Sequence, residues 1–87
     1  MIAGAIGAID QWLRRREAEE VTGAYFAWWQ ECTTVRDAYR TWVRAAGADA
    51  ARAFAGYAAA LEREQRAAEA YAARARRHGE LHRPSAA

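Results

Sequence analysis

The chain has no lysine and no asparagine, a single cysteine, a single proline, and no serine before Ser85. Each gap removes a class of reading. One cysteine, Cys32, rules out an internal disulfide and fits a reducing cytoplasm. With no serine nucleophile in the body of the chain, no histidine near Cys32, no glycine-rich phosphate loop and no metal-ligand spacing, the constellations of enzymes are missing and the chain is read as no enzyme. It needs no cofactor. No run of β-branched residues is long enough to suggest a strand, and the lone Pro84 lies close to the last residue. The apolar opening, residues 1–9, is far short of the roughly 20 residues that cross a bilayer, and it lacks the positive region of a signal peptide, so no transmembrane segment and a cytoplasmic location are expected.

What is present favours helix. Alanine, arginine and glutamate dominate, and all 13 basic residues are arginine, which fits codon bias in a GC-rich genome. The net charge of +2 neither demands nor excludes nucleic acid, because acids are interleaved with the arginines. A chain of 87 residues is one domain, 1–87, near the size at which a single core is only marginally sufficient. Alanine buries little area, so four Trp, four Tyr and two Phe must carry the core.

The organising stretch is 21–46. Val21, Tyr25, Trp28, Cys32, Val35, Tyr39, Trp42 and Ala46 recur at spacings of four and three, the seam of a helix packed lengthwise on another. Gly47 suits a left-handed C′ position and Asp49 a cap, so a short loop should return the chain antiparallel as a second helix over 49–78. Its stripe reads Phe54, Ala58, Leu61, Gln65, Ala68, Ala72 and Ala75, with Gly79 as stop and a loose tail over 80–87. Set side by side, Trp42 faces Phe54, Tyr39 faces Ala58, Trp28 faces Ala68 and Tyr25 faces Ala72, large against small. Tyr57 and Tyr71 lie on one flank over Ala38 and Ala24, and Arg36 falls near Glu62 on the other. Glu31 and Cys32 lie level with Glu64 and Gln65 as a polar layer that sets register, so that Gln65 is read as a buried seam residue.

Residues 1–20 are an apolar and then charged N-terminal segment. Ile2, Ile6, Ile9 and Leu13 form a separate stripe that changes phase across Arg14–Glu20. Either one long helix runs through with a stutter, the form preferred here, or the chain bends near 16–23 and folds back into a three-helix bundle. The fold class is therefore all-α: an antiparallel, coiled-coil-like two-helix hairpin with an N-terminal helical extension. Phe26, Trp29 and Val43 exceed what one hairpin can cover, so two hairpins are expected to pair as a dimeric four-helix bundle.

Function follows only as an expectation. The chain reads as a small protein-protein interaction module, an adaptor or assembly subunit, that self-associates and docks a protein partner through Ile2, Ile6, Ile9, Leu13, Phe26, Trp29 and Val43. One alternative is a nucleic-acid-associated protein using Arg36, Arg40, Arg44, Arg74, Arg76 and Arg77. Another follows from the carboxylates of the polar layer: in length and topology the chain resembles two-helix ferritin-like proteins, a resemblance that implies a carboxylate metal-binding bundle. Their Glu-x-x-His would be Glu62-x-x-Gln65 here, and no metal ligand is assigned. The hairpin shape is also similar to the small secreted partners of type VII secretion. Their Trp-x-Gly and Tyr-x-x-x-acid motifs are absent, since Trp42 is followed by Val43-Arg44 and Tyr71 by Ala75 at the matching place.

Overall fold

The computed structural model describes residues 2–81, with side chains from Gly4 onward. Two helices make up the fold, α1 over Ile2–Arg44 and α2 over Ala48–Leu81, and they pack on each other as a hairpin. The described residues contain no strand. Helix α1 runs unbroken through the arginine block and Gly23, so the extension continues the first helix and the fold-back into a three-helix bundle does not form. An ion pair at helical spacing, Arg16–Glu20 at 3.9 Å, lies within the stretch where a bend was conceivable, and Asp10–Arg14 at 2.9 Å precedes it. Helix α1 ends at Arg44, two residues before the expected Ala46.

The reversal occupies Ala45–Gly47. Gly47 adopts φ 61°, the left-handed C′ conformation that its place after the seam predicts. Asp49 lies inside the first turn of α2 instead of before it, where its charge still complements the helix dipole. A Cβ at Gly47 would meet nothing within 4 Å, so the glycine is required by backbone conformation alone. Gly47→Ala should therefore lower stability by about 1 kcal/mol, read as an earlier midpoint in urea unfolding, while leaving helix content intact. At the other end α2 passes through Gly79 and takes in Glu80 and Leu81, so the expected stop is not used. The remainder of the expected loose tail, 82–87, lies outside the described residues.

The phase of the seam differs from the sequence reading in an instructive way. The residues withdrawn from solvent on α1 are Glu17, Val21, Ala24, Trp28, Glu31, Cys32, Val35, Ala38 and Trp42, with Ala45 just after the helix; on α2 they include Ala53, Tyr57, Ala58, Ala60, Glu64, Ala67, Ala68, Tyr71, Ala75 and His78. Five of the eight α1 seam residues stand as read, Cys32 among them. Tyr25, Tyr39 and Ala46 yield to the alanines just before them; on α2, Phe54, Leu61, Gln65 and Ala72 yield to the residues just before them, while Ala58, Ala68 and Ala75 are withdrawn as read. The cause is size: alanine at 24, 38 and 60 lets the backbones approach, and only Ala24 and Ala60 become fully buried. Beside this alanine row the large rings meet each other. Trp28 stacks on Tyr71 with centroids 5.9 Å apart, and Trp42 stacks on Tyr57 at 5.4 Å. Tyr25 meets Tyr71, and Tyr39 meets Tyr57, each edge-on or tilted. Large against large replaces the large-against-small pairing within the chain, and Tyr57 and Tyr71 move from the flank to the seam. Of the expected pairings, Trp42–Phe54 is a ring contact as read, at 5.1 Å.

The polar layer shifts with the seam. Gln65 is exposed and donates to Glu69 within its own helix at 3.4 Å, so it is not the buried register residue. That place belongs to Glu64, whose carboxylate accepts the Trp28 indole N–H at 2.7 Å and the Cys32 thiol at 4.0 Å. Arg36 and Glu62 do not pair. The arginine that bridges the helices is Arg63, 3.5 Å from Glu31.

Candidate functional site

Two apolar surfaces remain uncovered, and they point in different directions. The first is the N-terminal arm. The last link between the helices at this end joins Glu17 to His78, with Glu17 Oε2 3.9 Å from His78 Nδ1. Helix α2 runs three residues further, to Leu81, and α1 extends past the end of the described α2 for about 20 Å, at 1.5 Å per residue. Ile6 is 62% exposed and Ile9 59%, with Leu13 and Trp12 also in solvent. The Ile2 side chain lies outside the described residues. Arg16 rests over the Trp12 ring at 5.3 Å from its centroid, an exposed cation–π contact that leaves the opposite ring face open.

The second surface is one face of the hairpin. On α1, Tyr25, Trp29, Tyr39 and Val43 lie immediately beside the seam row of Trp28 and Trp42, and all four are exposed, Trp29 by 56%. On α2, Phe54 and Leu61 hold the equivalent places beside Tyr57 and Ala60 and are also exposed. In an antiparallel helix pair these equivalent rows lie on the same side, so the six side chains share one face, in rows that also carry Cys32 and Arg36 on α1 and Gln65 on α2, with Phe26 at its edge. The opposite side is polar, with Gln30, Thr34, Thr41, Arg63 and the Glu31–Arg63 pair. Trp28, Trp42, Tyr57 and Tyr71 are themselves only half-buried, covered from below by the partner helix and open above.

Dimensions show how little one chain buries. The molecule measures 71 × 26 × 13 Å, one helix thick, with a radius of gyration of 20.1 Å against about 12 Å for a compact domain of this length. Its accessible surface is 7038 Å², whereas a compact monomer of 9.7 kDa would expose about 5,100 Å².

No family model, curated protein or solved structure matches the chain. The residues alone therefore carry the reading.

The arginines divide. Arg40 pairs with Asp37 at 3.7 Å, while Arg36 and Arg44 project from exposed positions on α1. Arg74 and Arg77 border a small cleft at the open end of the hairpin together with Glu17, Glu20 and His78, so acids stand among the bases there. Arg76 is exposed on α2. Arg36, Arg40 and Arg44 lie toward the turn, and Arg74, Arg76 and Arg77 toward the open end of the hairpin. Among the described residues no three of His, Cys, Asp and Glu converge closely enough to hold a metal ion. No helix among them is long and apolar enough to cross a membrane.

Sequence reasoning placed Ile6, Ile9, Leu13, Phe26, Trp29 and Val43 on open surfaces, and they are there. It took Tyr25, Tyr39, Phe54 and Leu61 for the interior of the hairpin, and so missed half of the open face. The signal was present: these residues share the spacing of four and three with Trp29 and Val43, which marks a second apolar row.

Proposed function

We propose that the chain is a small helical protein-protein interaction module, an adaptor or assembly subunit of the cytoplasm, in which the hairpin self-associates and the N-terminal arm docks a partner. The observation that carries this reading is the stretch of α1 beyond α2, whose Ile6, Ile9 and Leu13 stand exposed, with no other described element over them. A rigid amphipathic helix with anchors at this spacing fits an apolar groove, where each anchor gains its burial only on binding. A membrane surface suits it less well, because the arginines follow the stripe as a block, Arg14 to Arg16, instead of lining its opposite face.

Deletion of residues 1–13 tests the reading. The truncated hairpin should keep its thermal midpoint and its self-association, and lose helical circular dichroism only in proportion to the residues removed. A photo-crosslinking side chain at Ile9 in the full chain should give a discrete adduct with a second protein, abolished by Ile6→Glu. If the truncated chain unfolds, or if the adduct forms regardless of Ile6, the arm is not a docking element.

A further inference from the structure

The turn holds the hairpin closed with little. Ala45, Ala46 and Gly47 have no polar side chain, and the reversal carries three backbone hydrogen bonds: Ala45 N–H to the Trp42 carbonyl, Asp49 N–H to that of Ala46, and Ala50 N–H to that of Gly47. Gly47 is the only described residue with a positive φ. On both sides of it the sequence favours helix, Arg44-Ala45-Ala46 before and Ala48-Asp49-Ala50-Ala51 after, with no proline. Helical phase is also kept across the turn. Trp42, Ala45, Asp49, Ala53, Tyr57 and Ala60 follow one another at spacings of three and four, so a helix running straight through Gly47 carries both seams on one side. A hairpin does not require this, because its turn can join any two phases. The ring stacks agree: Trp42–Tyr57 and Trp28–Tyr71 are each symmetric about the junction of Asp49 and Ala50.

We infer that the hairpin has an open form, in which Gly47 becomes helical, α1 and α2 merge, and two copies of the chain exchange α2 about a two-fold axis at the level of Asp49 and Ala50. The surface that binds the second copy is the seam itself. Its occupant is fixed by the closed form: α2 of one copy takes the place of α2 of the other, and Trp28–Tyr71, Trp42–Tyr57, Trp28–Glu64 and Glu31–Arg63 all re-form between chains. Merging also pairs backbone groups that α1 leaves open at its C-terminus and α2 at its N-terminus. Near the axis the chains pass each other on Ala46, Ala50 and Ala53, and each Asp49 has Arg52 one turn away to offset the carboxylate of the other copy. This goes beyond the module reading and is independent of what meets the open face, which lies outside the seam in both forms.

Closure within one chain is favoured in dilute solution, because the short turn holds α2 at an effective concentration on the order of millimolar. Gly47→Ala tips the balance twice, since alanine disfavours the left-handed turn and favours the helix that replaces it. Over two chains the midpoint of exchange should fall about a thousandfold, from millimolar to micromolar. The stability loss expected of this variant is that of the closed hairpin, in more dilute solution. At tens of micromolar, small-angle scattering on full-length Gly47→Ala should give the mass of two chains and a longest dimension of about 140 Å, at 1.5 Å per residue, in place of 71 Å. Three glycines inserted after Gly47 relax the hinge and should keep the chain closed. Spin labels at Gln30→Cys and Arg66→Cys, in a Cys32→Ser background diluted with unlabelled chains, separate exchange from the packing of closed hairpins. Exchanged chains give an intrachain distance of about 55 Å, and closed ones about 15–30 Å from interaxial spacings of 8–10 Å. If Gly47→Ala does not fold, the wild-type sequence at millimolar concentration should show the long distance instead. Retention of the short distance at every concentration, whether or not the mass doubles, overturns the open form and leaves the module reading as it stands.

Discussion

Trp28→Ala should cost the hairpin about 3 kcal/mol, seen as a fall in the urea midpoint at fixed protein concentration. The figure is the lower end for a large aromatic, because Trp28 is only half-buried. Three contacts are lost together: the stack on Tyr71, the edge contact with Tyr25 at 6.0 Å, and the 2.7 Å hydrogen bond to Glu64. Their removal also leaves the Glu64 carboxylate in a partly covered seam with only the weak thiol donor of Cys32. Trp28→Phe separates the parts. It keeps a ring on Tyr71 and deletes the donor, and should cost about 1 kcal/mol. Equal losses from the two variants would place the energy in the hydrogen bond and not in the stack.

Trp29→Glu should raise the dissociation constant of the self-associated protein by about a thousandfold. A buried aromatic anchor at the centre of an interface is worth about 2 kcal/mol or more, and two-fold symmetry removes it twice, so the total is about 4 kcal/mol. Sedimentation equilibrium would show the mass falling to that of one chain at micromolar concentration. Gln30→Glu, one residue along on the polar side, adds the same charge and should leave the mass unchanged. An undisturbed oligomer in Trp29→Glu would remove the open face from the interface.

Comparison of these two tryptophans shows what could be read from the sequence. Two helices, their antiparallel return and the conformation of Gly47 were legible, because periodicity and a glycine after the last seam residue are local signals. The continuity of α1 was only half legible: the phase change across Arg14–Glu20 and the glycine at 23 left a bend open, and the helix runs through both. The row that faces inward was not. Apolar spacing locates the centre of an apolar stripe, and on both helices that centre lies between the intramolecular seam and the open face. Reading the largest residues as interior put Tyr39 and Leu61 inside and Ala60 unremarked, whereas the chain brings its helices together on alanine. From that one-residue rotation follow the exchange of Gln65 for Glu64 in the polar layer and of Arg36–Glu62 for Glu31–Arg63 between the helices.

The two ring stacks also differ in how far the chain must travel to make them. Trp42 and Tyr57 are separated by 15 positions across the turn, Trp28 and Tyr71 by 43. Closing the shorter loop costs about 1 kcal/mol less conformational entropy, for rings that gain about the same on contact. Folding is therefore expected to begin at the turn, with Trp42 and Tyr57 as its first long-range contact, and to zip toward Glu17 and His78, with opening in the reverse direction. The end that frays first is the one from which the arm projects, so a partner pulling on the arm loads the hairpin where it parts most readily.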